Sequence, residues 1–266
     1  MKRSLTALST AAVLALTLSA CGSGGSGDTQ GQSDSLLEHV QESGVLTVGT
    51  EGTYRPFSYH EGNDLVGFDV EIIEAVGDKL GVDVQFEETQ WDGIFAGLDA
   101  KRFDVIANQV TINPEREEKY LFSAPYTVSN GVVVTGSDNT DITSFESLEG
   151  KTTAQSLTSN WYEAAQEAGA NVEAVEGWAQ AVTLLKQGRV DATINDKLTY
   201  LDSQNTSPDD SIKIAAESEE QSRVGVALRQ EDSDLRDAIN TALEELRSEG
   251  TLAEISAKYF DADVTE

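Results

Sequence analysis

The chain has 266 residues, a length that fits two domains better than one or three. Its 47 acidic residues outnumber 18 basic ones, for a formal net charge of -29. That balance excludes nucleic acid, whose phosphates need clustered Lys and Arg, and argues against an anionic membrane surface as partner of the folded body. A solvated, soluble surface accounts for the acidity, with a salt-rich or acidic habitat as the other reading.

Lys2 and Arg3 give the chain a basic start, and an apolar run from Ala11 to Leu18 follows. The run is too short to cross a bilayer as a helix and fits the core of a signal peptide over residues 1–20. Leu18-Ser19-Ala20-Cys21 resembles a bacterial lipobox, in which the cysteine is lipidated and becomes the mature N-terminus. The alternative is an ordinary signal peptide with an incidental cysteine. Cys21 is the protein's one cysteine, so no internal disulfide is possible. Residues 22–35 are Gly, Ser, Gln and Asp with one Thr, too polar to bury a core. With Cys21 they read as a lipidated, flexible tether over residues 21–42. No other segment is apolar enough to span a membrane.

Beyond residue 43, short β-branched runs alternate with helical patterns. Val45 to Gly49 reads as a buried strand. Phe68 to Val76 has apolar residues at helical spacing, with a stop near Gly81. Val82 to Phe86 alternates like a strand, Ile94 to Leu98 reads as a helix, and Val105 to Ala107 as a strand. This rhythm predicts a mostly parallel sheet with helices on its faces.

A repeat follows. A shift of 87 residues lays Trp91 to Gln109 over Trp178 to Asp196. It matches Trp91 with Trp178, Leu98 with Leu185, Arg102 with Arg189, Asp104 with Asp191 and Asn108 with Asn195. Each segment reads as helix, turn and strand, and each strand ends in a polar pair, Asn108-Gln109 or Asn195-Asp196. Two similar α/β lobes are one reading, and convergent helix–strand grammar is the other. Open α/β sheets bind ligands beyond the carboxyl ends of their strands, so facing lobes would put both pairs in one cleft.

Several stretches together resemble the polar amino-acid family of ABC-transporter solute-binding proteins. They are Gly49 to Phe57, Gly67 to Glu71, Thr111 to Arg116, Phe122 to Tyr126, Gly188 to Ala192, Gly250 to Leu252 and Lys258 to Phe260. Ala154 to Trp161 and Thr193 to Lys197 look most like cystine-binding members. The resemblance implies an α/β fold of two Rossmann-like lobes joined by two hinge strands, the type II form of periplasmic-binding-protein-like folds. Lobe 1 would comprise residues 43–131 with 226–266, closed by helices between Asp234 and Phe260, and lobe 2 residues 132–225. The chain would cross between lobes near Gly131 to Thr135 and Ser222 to Ala227. It implies an extracellular, lipid-anchored monomer that captures L-cystine or a related amino acid for an ABC permease and its ATPase, with no cofactor.

The same resemblance assigns site roles. Arg116 matches the arginine that holds the ligand carboxylate, where a planar fork suits bidentate bonding. Asn113 and Pro114 would open its helix, and an ion pair with Glu115, Glu117 or Glu118 is the competing role for Arg116. Asp196 would take the ammonium, or else be a turn aspartate. Glu51 ranks below it as a second acid near the ammonium. Gln109 and Thr111 would add backbone hydrogen bonds. Ser159 and Asn160 would present helix amides to the carboxylate, and Asn108 would line the cleft. Tyr54 and Trp91 match the aromatic walls, and Trp178 is open between cleft and core.

Other classes remain in view. Some dehydratases resemble this family, and a cleft acid such as Glu51 is what such an enzyme would need. Only His39 and His60 are present, outside the matched cleft, and no set of residues has metal spacing. A receptor's sensor domain would need a transmembrane helix and a cytoplasmic module, which the chain is not expected to carry. A different polar amino acid, such as glutamine, is the alternative ligand.

Overall fold

A computed structural model describes residues 35–266. The signal peptide, Cys21 and the tether as far as Asp34 lie outside the described residues. The last part of the expected tether is helical: α1 spans Leu36–Ser43. Ser35 Oγ accepts the Glu38 amide at 3.2 Å, Gly44 ends the helix in the left-handed region, and Val40 is fully buried. Leu36, Leu37 and Val40 recur at helical spacing, and that apolar stripe docks on the body.

In chain order β1 (Val45–Thr50) leads into a small antiparallel sheet of β2 (Thr53–Tyr54), β3 (Ser58–Glu61) and β4 (Asp64–Val66). Next come α2 (Phe68–Leu80), β5 (Asp83–Glu88), α3 (Trp91–Asp99), β6 (Val105–Ile106), α4 (Pro114–Glu117) and β7 (Tyr120–Phe122). The chain then builds β8 (Thr127–Gly136), β9 (Thr152–Gln155), α5 (Asn160–Glu167), β10 (Asn171–Ala174), α6 (Trp178–Lys186), β11 (Ala192–Asp196), α7 (Lys197–Thr206) and β12 (Ile212–Val224). It returns through β13 (Ala227–Arg229) to α8 (Ser233–Glu249) and α9 (Thr251–Phe260).

The strands form two five-stranded sheets of one design. The first runs β5-β1-β6-β13-β7 and the second β10-β9-β11-β8-β12. In each, three parallel strands come first and antiparallel strands close the far side. The strand–helix–strand units of each lobe therefore lay their strands in the same spatial order. Two Rossmann-like lobes joined by two strands is the fold that the resemblance implied.

The repeat is carried by matching contacts. Asp104 accepts the amide of Thr47 at the start of β1, at 2.9 Å, while its own amide donates to Thr47 O at 2.9 Å. Asp191 repeats this on Thr152 at the start of β9, at 2.8 and 2.7 Å. The two aspartates staple equivalent strands, which is why they recur at one spacing.

Residues 131–135, expected at the first crossing, lie inside the second sheet, paired with Ala192–Asp196. The crossing comes earlier, where Thr127–Asn130 pairs with Gln221–Val224 as a two-stranded ribbon. The sequence hid this because β8 is β-branched along most of its length, so its pattern does not break where the sheets part. Each sheet is covered on both faces. The larger core of lobe 1 gathers Leu46, Val48, Phe68, Ile72 and Ile73 with Leu235, Ile239 and Leu243 of α8, all nearly inaccessible. Full burial of each such side chain contributes about 1.5–3 kcal/mol.

Candidate functional site

The parallel strands of both lobes end on one cleft. β1 and β6 deliver Glu51, Asn108 and Gln109 from lobe 1. β9 and β11 deliver Gln155, Ser156 and Asn195 from lobe 2. Between them lies a cavity of about 240 Å³. Tyr54 and Trp91 wall it from lobe 1, and Ser159, Asn160, Trp161 and Trp178 from lobe 2. Trp178 fills both roles left open by the sequence, since it also packs on the core of lobe 2. Trp161 rests on Gly131, where a Cβ would meet its ring at 2.5 Å.

Thr111, Arg116 and Asp196 are not among the residues of this wall, and Thr111 lines a separate depression with Asn113, Phe145 and Trp161. Asn113 caps α4 as expected, accepting the Arg116 amide at 2.9 Å, with Pro114 at the first helical position. Arg116 is 7% exposed and makes no ion pair within 4 Å among the described residues. Its guanidinium donates to Thr111 O at 2.8 Å and to Thr158 O, across the cleft, at 3.3 Å. It also lies over the Trp91 ring, 5.4 Å from the centroid. Burial pushes it down to about 10, still cationic at neutral pH. The surface ion-pair role is therefore not the one that the structure displays.

Asp196 is 4% exposed and caps α7. Ser129 Oγ and the Leu198 amide donate to it at 2.7 and 2.8 Å, both to Oδ1, which leaves Oδ2 for another donor. Burial raises its carboxyl to about 6, and the Ser129 and Leu198 bonds oppose the rise. Glu51 is raised by burial to about 7 while Asn108 Nδ2 donates to it at 2.6 Å. Asn108 Oδ1 in turn accepts the Glu51 amide at 2.8 Å.

Asp69 carries a role that the sequence reading did not assign. It is buried in the first turn of α2 and accepts both the backbone amide and Nε2 of Gln109, each at 2.6 Å. Tyr126 donates to it at 3.1 Å. These bonds hold Gln109 at φ 50°, an uncommon conformation for a non-glycine residue. Burial raises Asp69 to about 7. The signal was available: an acid on the inward face of an apolar helix needs buried donors.

Three residues of the cavity wall also carry a polar atom that is buried behind it and unpartnered among the described residues: Trp91 Nε1, Gln109 Oε1 and Gln155 Nε2. Each such atom costs about 1–3 kcal/mol unless something bonds it. The lobes also touch directly. Tyr54 donates to Asn195 Oδ1 at 2.8 Å, and Thr158 Oγ1 to Asp92 Oδ1 at 2.8 Å. Arg55 reaches Asp202 at 3.4 Å. The cleft is shut, with a buried cation and buried carboxylates around a small, partly aromatic chamber. Such a chamber suits a zwitterion of modest size. Among the described residues, no group of three His, Cys, Asp or Glu is placed to hold a metal.

The sequence model of the bacterial extracellular solute-binding proteins, family 3, matches residues 46–262. The chain is 48% identical to the L-cystine-binding protein TcyA of Bacillus subtilis (strain 168), over 100% of both chains. It resembles the solved L-cystine solute receptor of Neisseria gonorrhoeae in the unliganded open conformation. That match has a TM-score of 0.60 at 43% identity, over 87% of this chain and 99% of the other. An ancestral arginine-binding protein bound to arginine gives a TM-score of 0.76 at 36% identity, over 82% and 98%. The better superposition at the lower identity accords with lobes that are shut on each other.

Proposed function

We infer the function from the premise that the chain belongs to the bacterial extracellular solute-binding proteins, family 3: it captures a small amino acid, L-cystine first, for an ABC importer. The observation that carries this reading is the shut cleft itself, where Tyr54, Trp91, Trp161 and Trp178 enclose a small chamber with Glu51, Gln109 and Asn195 from the two lobes. The ligand carboxylate would go to Arg116 and the amides of Ser159 and Asn160. Its ammonium would go to Asp196 Oδ2, with Glu51 and Gln109 nearby. Tyr54 and Trp91 would cover its aliphatic part, while Asn108 shapes the lobe 1 side and the Thr111 carbonyl holds Arg116 in place. Because Arg116 belongs to lobe 1 and Asp196 to lobe 2, one zwitterion satisfies both only when the lobes are shut. Ligand then shifts the population toward that form, which the permease and its ATPase read.

In this reading lobe 1 is residues 43–126 with 225–266 and lobe 2 is residues 131–220, and they move about the paired ribbon between them. The protein acts as a monomer on the outer face of the cell membrane, held by lipid on Cys21. Replacing Cys21 by Ser would then release it into the medium, and retention on the cell would reject the anchor. Capture rather than turnover is the role, so chromatography should find candidate amino acids unchanged after incubation. A thermal-shift panel of amino acids tests the ligand. Stabilisation by cystine is the expected result, and stabilisation by glutamine or arginine alone would overturn the cystine assignment.

A further inference from the structure

Asp196 takes its position from the sheet register of lobe 2. In β11 it lies opposite Gly131 of β8. Directly paired residues project to one face of a sheet, and so do residues two apart on a strand. Ser129, two before Gly131, therefore shares a face with Asp196. Gly131 carries no side chain to separate them, and the Trp161 ring fills that side, since a Cβ on Gly131 would meet it at 2.5 Å. Ser129 Oγ reaches across to Asp196 Oδ1 at 2.7 Å, and both residues are buried.

The two donors to Oδ1 come from different parts of the fold. The Leu198 amide belongs to α7, within lobe 2. Ser129 belongs to the ribbon between the lobes, where it pairs with Ser222. The same stretch of chain also meets lobe 1. Tyr126, just before β8, donates to Asp69 at 3.1 Å, and Thr127 Oγ1 accepts Gln109 Nε2 at 3.3 Å. Thr127 and Ser129 lie two apart, on one face of the ribbon. Hydroxyls of Tyr126, Thr127 and Ser129 thus reach buried polar groups on both sides of the cleft: Asp69 and Gln109 in lobe 1, Asp196 in lobe 2.

Among the described residues no cation balances Asp196, and the adjacent Lys197 is turned to Glu217 at 2.7 Å. The groups that feel its charge are themselves acids, Asp69 of α2 and Tyr54 of β2, and Tyr54 also feels Glu51. Against burial, the bonds from Ser129 and Leu198 are what favour its charged form. Of the two, the Ser129 bond is the one that a side-chain change can remove.

We propose that Ser129 is a positioning residue for the ammonium site: from the ribbon it holds the Asp196 carboxylate with Oδ1 engaged and Oδ2 left for the ligand, and so ties the site to the segment about which the lobes turn. The role rests on the amino-acid reading above and deepens it, because Ser129, which does not line the chamber, sets the strength of the lobe 2 anion.

Ser129→Ala removes the hydroxyl and little else. Calorimetry with L-cystine between about pH 5 and pH 8 compares it with the wild type. Affinity at neutral pH should fall about tenfold or more, the cost of a hydrogen bond to a charged group. The pH at which affinity declines should also move upward, because the carboxylate has lost a donor that favours its charged form. In an Asp196→Asn background the same change should cost no more than about threefold and leave the remaining pH dependence unaltered, since only a neutral hydrogen bond is lost. A hydroxyl that only fills its place would lower the melting temperature and leave the pH profile where it is. Unchanged affinity, an unmoved pH profile, or an equal loss in the Asp196→Asn background would each overturn the positioning role and leave capture standing. A wild type that binds no L-cystine at any pH would overturn the ligand reading, and the positioning role with it.

Discussion

Arg116 and Asp196 show how a single residue's surroundings decide its chemistry. Arg116 sits among three glutamates in sequence, yet its guanidinium turns inward to Thr111 O and Thr158 O. Replacing it by Lys keeps the charge and removes the fork, so amino-acid affinity should fall about 10-fold or more by calorimetry, and further in Arg116→Ala. Unchanged affinity in a folded variant would sink the clamp. Asp196→Asn should keep the cap of α7, because Asn caps helices as well as Asp. It should still weaken binding and reduce its pH dependence. In the wild type the Asp196 carboxyl is raised to about 6, so affinity should decline as pH falls through about 6, while the variant keeps only the part that Glu51, raised to about 7, contributes. What was legible of these two is their place at element ends, Arg116 in the first turn of α4 and Asp196 at the end of β11. The part played by Asp69 was not, because it comes from buried partners that only the packed lobe creates.

At the scale of elements, local grammar was the readable part. β1, α2, β5 and α3 fall where the apolar periods change, and Gly81 ends α2 as expected, at φ 74°. Two features escaped. α1 is only eight residues long and follows a polar tract, so its stripe was too short to register against its flank. The crossing was misplaced because β8 serves the ribbon and the second sheet in one continuous strand. Gly67 shows an element's start set by the backbone itself. It enters α2 at φ 141°, and a Cβ there would lie 2.2 Å from Phe57 O. Gly67→Ala should therefore lower the melting temperature by about 5 °C or more, because both strain and a backbone clash oppose it. A melt within a degree of wild type would show that the Phe57 turn gives way freely.

The whole molecule holds its lobes together around carboxyls that burial makes harder to ionise. Glu51, Asp69 and Asp196 are raised to about 7, 7 and 6. Unfolding returns such carboxyls to about 4. Between about pH 4 and pH 7 the folded chain thus binds more protons than the unfolded one, and stability falls as pH rises through that window. Melting in the absence of ligand should drop by several degrees from pH 5 to pH 7, and Asp69→Asn should flatten the slope. A slope unaltered by that change would place the proton linkage elsewhere. Closure itself was the least legible property at sequence level. The bonds of Tyr54 to Asn195 and Thr158 to Asp92 join residues far apart in the chain, and no local pattern announces them.

The protein contains three tryptophans, Trp91, Trp161 and Trp178, and all three line the cavity. Its intrinsic indole fluorescence is therefore a built-in optical reporter of the cleft, with no tryptophan elsewhere to dilute the signal. Emission shifts on titration can be read as events at the chamber wall, without a dye or an engineered label.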